Sequence, residues 1–226
     1  MEERLLVVLP LARGIVRPGR AVRRILARLP QVQLLILDER RGALPETDEL
    51  PRDQRITHVA CRGRGLELAY ADGLRYAQRH GFAGALTLEV DGRGAVDPRG
   101  LQPLAQALGS ADLVLGVRGP QDPSSWIDPR NWQTHFIGLA TKLLLGRRLA
   151  DPATPFRLYG IAALKLLAEP PYEERSFQLV ALARVLRGGL EVREIAVPAI
   201  RRGSVWSAFR GASALLRLRR SPRPSA

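Results

Sequence analysis

Apolar residues fall in short blocks that change period along the chain. Residues 5–9 are continuously apolar and end at Pro10, which predicts a strand buried on both faces. Val22, Ile25, Leu26 and Leu29 then follow the i, i+3, i+4, i+7 spacing of a helix packed on one side. Residues 32–37 predict a second buried strand, ended by Asp38 and Glu39, and residues 40–55 a polar loop. Residues 56–60 predict a third strand, 66–80 a helix stopped at Gly81, and 85–90 a fourth strand ended by Asp91-Gly92. A helix over 101–108 and a fifth strand over 113–117 complete this half.

Short strands alternating with helices predict an α/β fold, a mostly parallel sheet with helices on both faces. Beyond residue 118 the pattern changes. Helices are predicted over 131–145, 159–168 and 173–187, with an edge or hairpin strand over 190–197. Val205, Ala208, Phe209, Ala212, Leu215 and Leu216 recur at helical spacing, with Arg210, Arg217 and Arg220 on another side of the wheel. This predicts a basic amphipathic helix and a loose tail over 205–226, beside one larger unit over 1–204. The helix can dock on its own domain, lie on an anionic membrane surface, or meet nucleic acid.

Composition narrows the classes. The chain has 226 residues, 46% of them hydrophobic, so it can bury a core. A single cysteine, Cys61, excludes an internal disulfide framework and a multi-thiolate zinc site. The net charge of +13 favours anionic partners, and only Lys142 and Lys165 among the basic residues are lysine. Twelve aromatic residues leave few stacking platforms, so nucleic acid is not the expected partner. The opening residues lack a signal-peptide layout, and no apolar run reaches the length of a membrane span. A cytoplasmic protein is expected, with room for peripheral contact at the membrane face.

Ligands of open α/β sheets sit at the carboxyl ends of strands. Asp38-Glu39 and Glu89-Val90-Asp91 are predicted to lie there. Glu89 and Asp91 can converge where the chain turns and offer hard oxygens to Mg2+ or Mn2+ carrying a diphosphate. No Gly-x-Ser-x-Gly elbow, Walker loop or His-Glu-x-x-His helix is present. His58, His80 and His135 are scattered and carry no motif, and Cys61 reads as an ordinary thiol beside Arg62.

Several segments, taken in order, resemble the family 2 nucleotide-sugar glycosyltransferases. The likeness is to the branch of dolichyl- and polyprenyl-phosphate mannose and glucose synthases. It spans roughly residues 5–210. Val7-Val8-Leu9-Pro10 looks like the opening strand, and Leu35-Ile36-Leu37-Asp38-Glu39 like the second strand with its acidic pair. The glycine-bearing start of the third helix is matched by residues 65–73. Glu89-Val90-Asp91-Gly92 stands at the place of the Asp-x-Asp metal motif, with Asp97-Pro98 following. Residues 111–118, Ala-Asp-Leu-Val-Leu-Gly-Val-Arg, match a family strand most closely. Residues 151–157, Asp-Pro-Ala-Thr-Pro-Phe-Arg, resemble a family turn, and residues 194–198 with Arg202-Gly203-Ser204 resemble the closing strand and phosphate segment.

The resemblance implies a glycosyltransferase A-type (GT-A) sheet and an inverting sugar transfer from a UDP- or GDP-linked donor. It implies that Pro10, Asp38, Glu39, Glu89, Asp91 and Ser204 meet the donor and that Glu89 and Asp91 hold Mg2+ or Mn2+. It makes Arg118 and Arg202 phosphate contacts and polyprenyl phosphate, or another lipid-linked molecule, the acceptor. The chain also departs from the pattern. Leu11-Ala12-Arg13 follows Pro10 where the family has an acid, Arg40-Arg41 replaces Gly-Ser, Glu67 replaces a glycine and Pro155 another. These changes motivate a second account, a catalytically silent member of the fold serving as a binding or scaffold partner.

Overall fold

The structure, a computed structural model, describes residues 4–12, 18–39, 50–61, 65–90, 98–118, 141–142, 146–152, 154–168 and 177–197. Residues 40–49 of the predicted loop over 40–55, most of the predicted helix over 131–145 and the whole of 205–226 lie outside these residues. The elements run β1 (Leu5–Leu11), α1 (Pro18–Arg28), β2 (Gln33–Asp38), β3 (Ile56–Ala60), α2 (Leu66–Arg79), β4 (Gly84–Thr87) and, after a 3-10 turn at Pro98–Gly100, α3 (Leu101–Gln106). Then follow β5 (Leu113–Arg118), β6 (Arg157–Gly160), α4 (Ile161–Leu167), α5 (Phe177–Arg187) and β7 (Val192–Val197).

All seven strands form one sheet in the order β3-β2-β1-β4-β6-β5-β7. β1 is parallel to β2 and β4, β2 to β3, and β5 to β7, while β6 is antiparallel to both β4 and β5. The reversed β6 makes the sheet mixed as well as mostly parallel.

Alternation along each strand sorts the core into two layers. Leu6, Val8, Leu35 and Leu37 face α2, α4 and α5, joining Tyr70, Leu74, Leu164 and Phe177. Val7, Leu9, Leu34 and Ile36 face the opposite way, joining Ile25 of α1 and Leu104 of α3. Both faces of β1 and β2 are therefore buried, which explains their unbroken apolar runs. Gly73 lets α2 lie directly on β1, because a Cβ there would collide with the γ-methyls of Val8. Gly73→Ala is expected to lose about 1–3 kcal/mol through overpacking. That loss outweighs the roughly 1 kcal/mol alanine gains in helix propensity. Urea denaturation measures it, and an unchanged midpoint would mean that α2 can shift off β1 at no cost.

Several boundaries differ from those the pattern predicts. β1 runs through Pro10 instead of stopping there. The Glu39 N–H donates to the Leu11 carbonyl at 3.0 Å, so Leu11 is a residue that bonds β2. Its neighbour Pro10 therefore turns its nitrogen toward β4, whose pairing with β1 has already ended at Val8 opposite Thr87. No ladder bond is lost to the missing N–H. Residues 157–160, of which 159–160 were expected to be helical, form β6, and the helix starts only at Ile161. A four-residue run with Leu158 buried on one face and Tyr159 on the other carries no period that separates strand from helix. β4 ends at Thr87 and α3 at Gln106, both earlier than predicted. β7 is an edge strand as expected, but it lies parallel to β5 and makes no hairpin. Among the described residues no helix is long and apolar enough to cross a membrane.

Candidate active site

The chain leaves β1 for β2 and β3 on one side and returns to β4 on the other. That reversal opens a crevice at the carboxyl edge of the parallel strands, on either side of the end of β1. Pro10 stands opposite Leu37, and Leu11 opposite Asp38. Asp38 and Glu39 are buried, at 9% and 6% exposure. Their backbone is held on both sides: Glu39 N–H donates to Leu11, and Cys61 N–H donates to the Asp38 carbonyl at 2.8 Å. The acidic pair is thus mounted on rigid strand ends.

His58, which carries no sequence motif, belongs to this edge. β3 sets it opposite Ile36, on the face that Asp38 shares, and its Nε2 lies 3.0 Å from Asp38 Oδ2. The signal for it is tertiary: one parallel register brings residues 38 and 58 together.

Glu89 follows β4 by two residues and is half-buried. The Tyr70 hydroxyl donates to the neighbouring Leu88 carbonyl at 3.2 Å. Burial first, then the charges of Glu89 and Glu67, raise the Tyr70 hydroxyl well above its ordinary value. Arg118 closes β5 opposite Val197. Its side chain, together with Asp91, Arg202 and Ser204, lies outside the described residues.

Behind Glu89 a buried polar network ties the turn before β6 to α2 and α5. Arg157 has no exposed surface. Its Nε donates to the Thr154 carbonyl at 2.8 Å, and its two terminal nitrogens donate to the Gln178 carbonyl at 2.5 Å and the Pro152 carbonyl at 2.6 Å. Thr154 Oγ1 donates to the Gly116 carbonyl at 2.9 Å, and Thr87 Oγ1 to the Pro155 carbonyl at 2.9 Å. The turn resembling the family's Asp-Pro-x-Thr-Gly-Phe-Arg segment is accordingly a brace between β4, β5 and α5. Glu67, in the first turn of α2, accepts from the Gln178 N–H at 3.3 Å. Burial raises its carboxyl above the ordinary 4.5, with the Glu89 charge adding to the shift, while hydrogen bonds from Gln178 and Phe177 and the Arg157 charge oppose it.

A carboxyl whose folded pKa is raised holds its proton more tightly when folded. Its contribution to stability is full below pH 4.5 and is lost as pH rises through the folded pKa. Glu67→Gln keeps an acceptor for Gln178 and cannot ionise. Its stability relative to the parent is expected to grow from pH 4.5 toward neutrality. Chemical denaturation at several pH values reads this, and a parent more stable than the variant at neutral pH would contradict it.

An open α/β sheet of this order, with a reversed strand beyond β4 and acids at the carboxyl edge of the parallel half, has the GT-A fold. Comparison with solved structures establishes that fold. Glucosyl-3-phosphoglycerate synthase from Mycobacterium tuberculosis, in complex with Mn2+, UDP and glucosyl-3-phosphoglycerate, superposes with a TM-score of 0.64 at 13% identity, covering 96% of this chain and 80% of that one. The same enzyme with phosphoglyceric acid gives 0.65 at 15% identity, with the same coverage. Among curated proteins, the undecaprenyl-phosphate mannosyltransferase of Micrococcus luteus is 25% identical over 207 residues, 88% of this chain and 84% of that protein. No family model matches the chain.

Proposed function

We propose that this protein transfers a sugar, with inversion, from a nucleoside-diphosphate sugar to a polyprenyl phosphate at a membrane surface. The observation that carries the reading is the placement of Asp38-Glu39 and Glu89 on one carboxyl edge, flanking the end of β1. The Micrococcus luteus relative supports a lipid-phosphate acceptor by its name, and the mycobacterial structures, with Mn2+ and UDP, support a UDP-linked donor.

Asp38 accepts hydrogen bonds from the donor's base or ribose, with Pro10 and Glu39 lining the same end of the crevice. Glu89 and Asp91 would hold Mg2+ or Mn2+. Among the described residues no three His, Cys, Asp or Glu cluster as a ready-made metal site. The donor chemistry still fits: Glu89 is a hard oxygen ligand whose negative charge is felt by Glu67 and Tyr70. When bound, such a cation offsets the charge that develops on the leaving diphosphate. A phosphate oxygen of the acceptor forms the new bond to the anomeric carbon from the side opposite the diphosphate, as the bond to the diphosphate oxygen breaks. The acceptor phosphate is already ionised, so no general base is required. Arg118 and Arg202 are assigned to the acceptor or donor phosphates and Ser204 to the donor. Residues 1–204 would form the transferase unit, and the segment over 205–226, a basic amphipathic helix and a loose tail, would place its helix against the anionic surface.

The test is a calorimetric titration with UDP- and GDP-sugars, with and without Mn2+. It is followed by transfer assays to polyprenyl phosphate in anionic vesicles and to 3-phosphoglycerate in solution. Metal-dependent, stoichiometric donor binding and a lipid-linked product are expected. Transfer to 3-phosphoglycerate alone would replace the acceptor. No donor binding by folded protein would leave the silent-scaffold account standing.

A further inference from the structure

We propose that the outer face of α1 is a docking surface for an anionic lipid bilayer, with Arg20, Arg24 and Arg28 as its contacts. The inference rests on the reading that the protein works at a membrane surface. It goes further by naming the face of the described domain that meets the lipid.

From Arg4 to Leu37 the chain holds seven arginines and no acid. α1 lies in this stretch and buries Ala21, Val22, Ile25 and Leu26. Arg20, Arg24 and Arg28 recur every four residues, so they form one row outside the buried stripe, roughly 12 Å from end to end. Arg20 and Arg28 are exposed and Arg24 is half-buried. Among the described residues no acid pairs with any of the three. Arginines elsewhere are matched: Arg55 meets Asp53 at 2.6 Å, Arg75 meets Asp72 at 3.1 Å and Arg193 meets Glu191 at 3.4 Å.

The row works against the helix that carries it. Like charges four residues apart repel. Arg20 stands in the first turn, where the helix dipole disfavours a cation. At the other end a cation can serve the last carbonyls, but Arg55 already does so, donating through Nη1 to the Leu26 and Pro30 carbonyls at 3.4 and 2.8 Å. An anionic partner offsets this repulsion, and guanidinium forks suit phosphate oxygens.

Shape decides among anionic partners. α1 and α3 pack together over one face of the sheet, so the row sits on a broad layer. It is not a helix standing alone, ready to enter a DNA groove. α1 also has no aromatic, amide or hydroxyl side chain with which to read a base. Charge on a broad layer suits a plane of lipid phosphates. Because β1 and β2 are parallel, α1 runs back between them from the carboxyl edge, and its first turn lies toward that edge. Docking by the row therefore holds the crevice near the lipid.

The full-length protein is floated with phosphatidylcholine vesicles, with and without phosphatidylglycerol. The parent is expected to bind only the anionic vesicles and to leave them as salt is raised. Arg20→Gln, Arg24→Gln and Arg28→Gln together are expected to weaken binding at least about tenfold, since each arginine near such a surface contributes about fivefold. Glutamine keeps helix propensity and relieves the repulsion, so the urea midpoint is expected to hold or rise. A lower midpoint would make the row structural and overturn the inference. A control removes the same charge from the opposite layer, with Arg79→Gln, Lys165→Gln and Arg187→Gln on α2, α4 and α5. It is expected to cost less than about threefold, because those charges lie beyond a Debye length from the lipid. Equal losses in the two triple variants, or a row variant that binds like the parent, overturn the role of the row and leave the membrane reading standing. A row variant that loses binding to a DNA duplex but not to vesicles gives the face to nucleic acid and likewise overturns it. A parent that binds neither kind of vesicle overturns the membrane reading and this inference together. Failure of the sugar-transfer reading shows instead in the donor titration and leaves the vesicle result intact.

Discussion

Methionine in place of Arg157 is expected to remove about 3–5 kcal/mol of stability, a large share of what a domain of this size possesses. The guanidinium is fully buried and donates to the carbonyls of Pro152, Thr154 and Gln178. Methionine fills similar volume and avoids the desolvation of a charge. It also leaves three buried acceptors without their donor, and each orphaned group costs about 1–3 kcal/mol. In addition, Glu67 loses a favourable positive charge. Lysine is not expected to rescue the loss, because a single ammonium cannot span carbonyls that a flat guanidinium fork reaches from three nitrogens. Guanidinium chloride denaturation of both variants measures the effect. A methionine variant within about 0.5 kcal/mol of the parent would show that the turn holds without these bonds.

Glu89→Gln separates the site from the scaffold. The change keeps shape but removes the charge and one of the two carboxylate oxygens that the proposed cation site would use. Transfer is expected to fall about a hundredfold or more, the scale typical of removing one group that stabilises developing charge. Metal-dependent donor binding should weaken with it. The folded protein should be at least as stable as the parent, because the Glu89 charge opposes ionisation of both Glu67 and Tyr70. Turnover at several Mn2+ concentrations and a denaturation curve test both halves. Full activity in the variant would remove Glu89 from the proposed metal site, and a marked loss of stability would make it a structural residue.

The parallel half of the sheet was legible in the chain. β1 and β2 are buried on both faces, so their residues are apolar without interruption, and Asp38-Glu39 marks where the second strand leaves the core. α1 was legible because one face alone is buried, leaving Val22, Ile25 and Leu26 at helical spacing. Gly81, at a φ of +67°, ends α2 as its position suggested. The acids at strand ends followed from this order of elements, since ligands of such sheets gather there.

β6 was not legible. It is short, it has apolar residues on both faces, and its direction is set by pairing with β4 and β5 on either side. His58 was passed over for the same kind of reason. Nothing near it in the chain marks it, and its partner lies twenty residues earlier on a neighbouring strand. Glu67 reads along the chain as a departure from a glycine. In three dimensions it is a buried acceptor for the backbone of Gln178, 111 residues later.

The sequence by itself determined the strand and helix periods of the first half, the positions of Asp38, Glu39 and Glu89 at the carboxyl ends of their strands, and the likeness to nucleotide-sugar transferases. Each depends on local spacing or on residues close together in the chain. Only the tertiary structure decided the reversal of β6, the passage of β1 through Pro10, the pairing of His58 with Asp38 and the burial of Arg157 among backbone carbonyls. Those depend on which strands become neighbours and on which groups lose water together, and no local pattern encodes either.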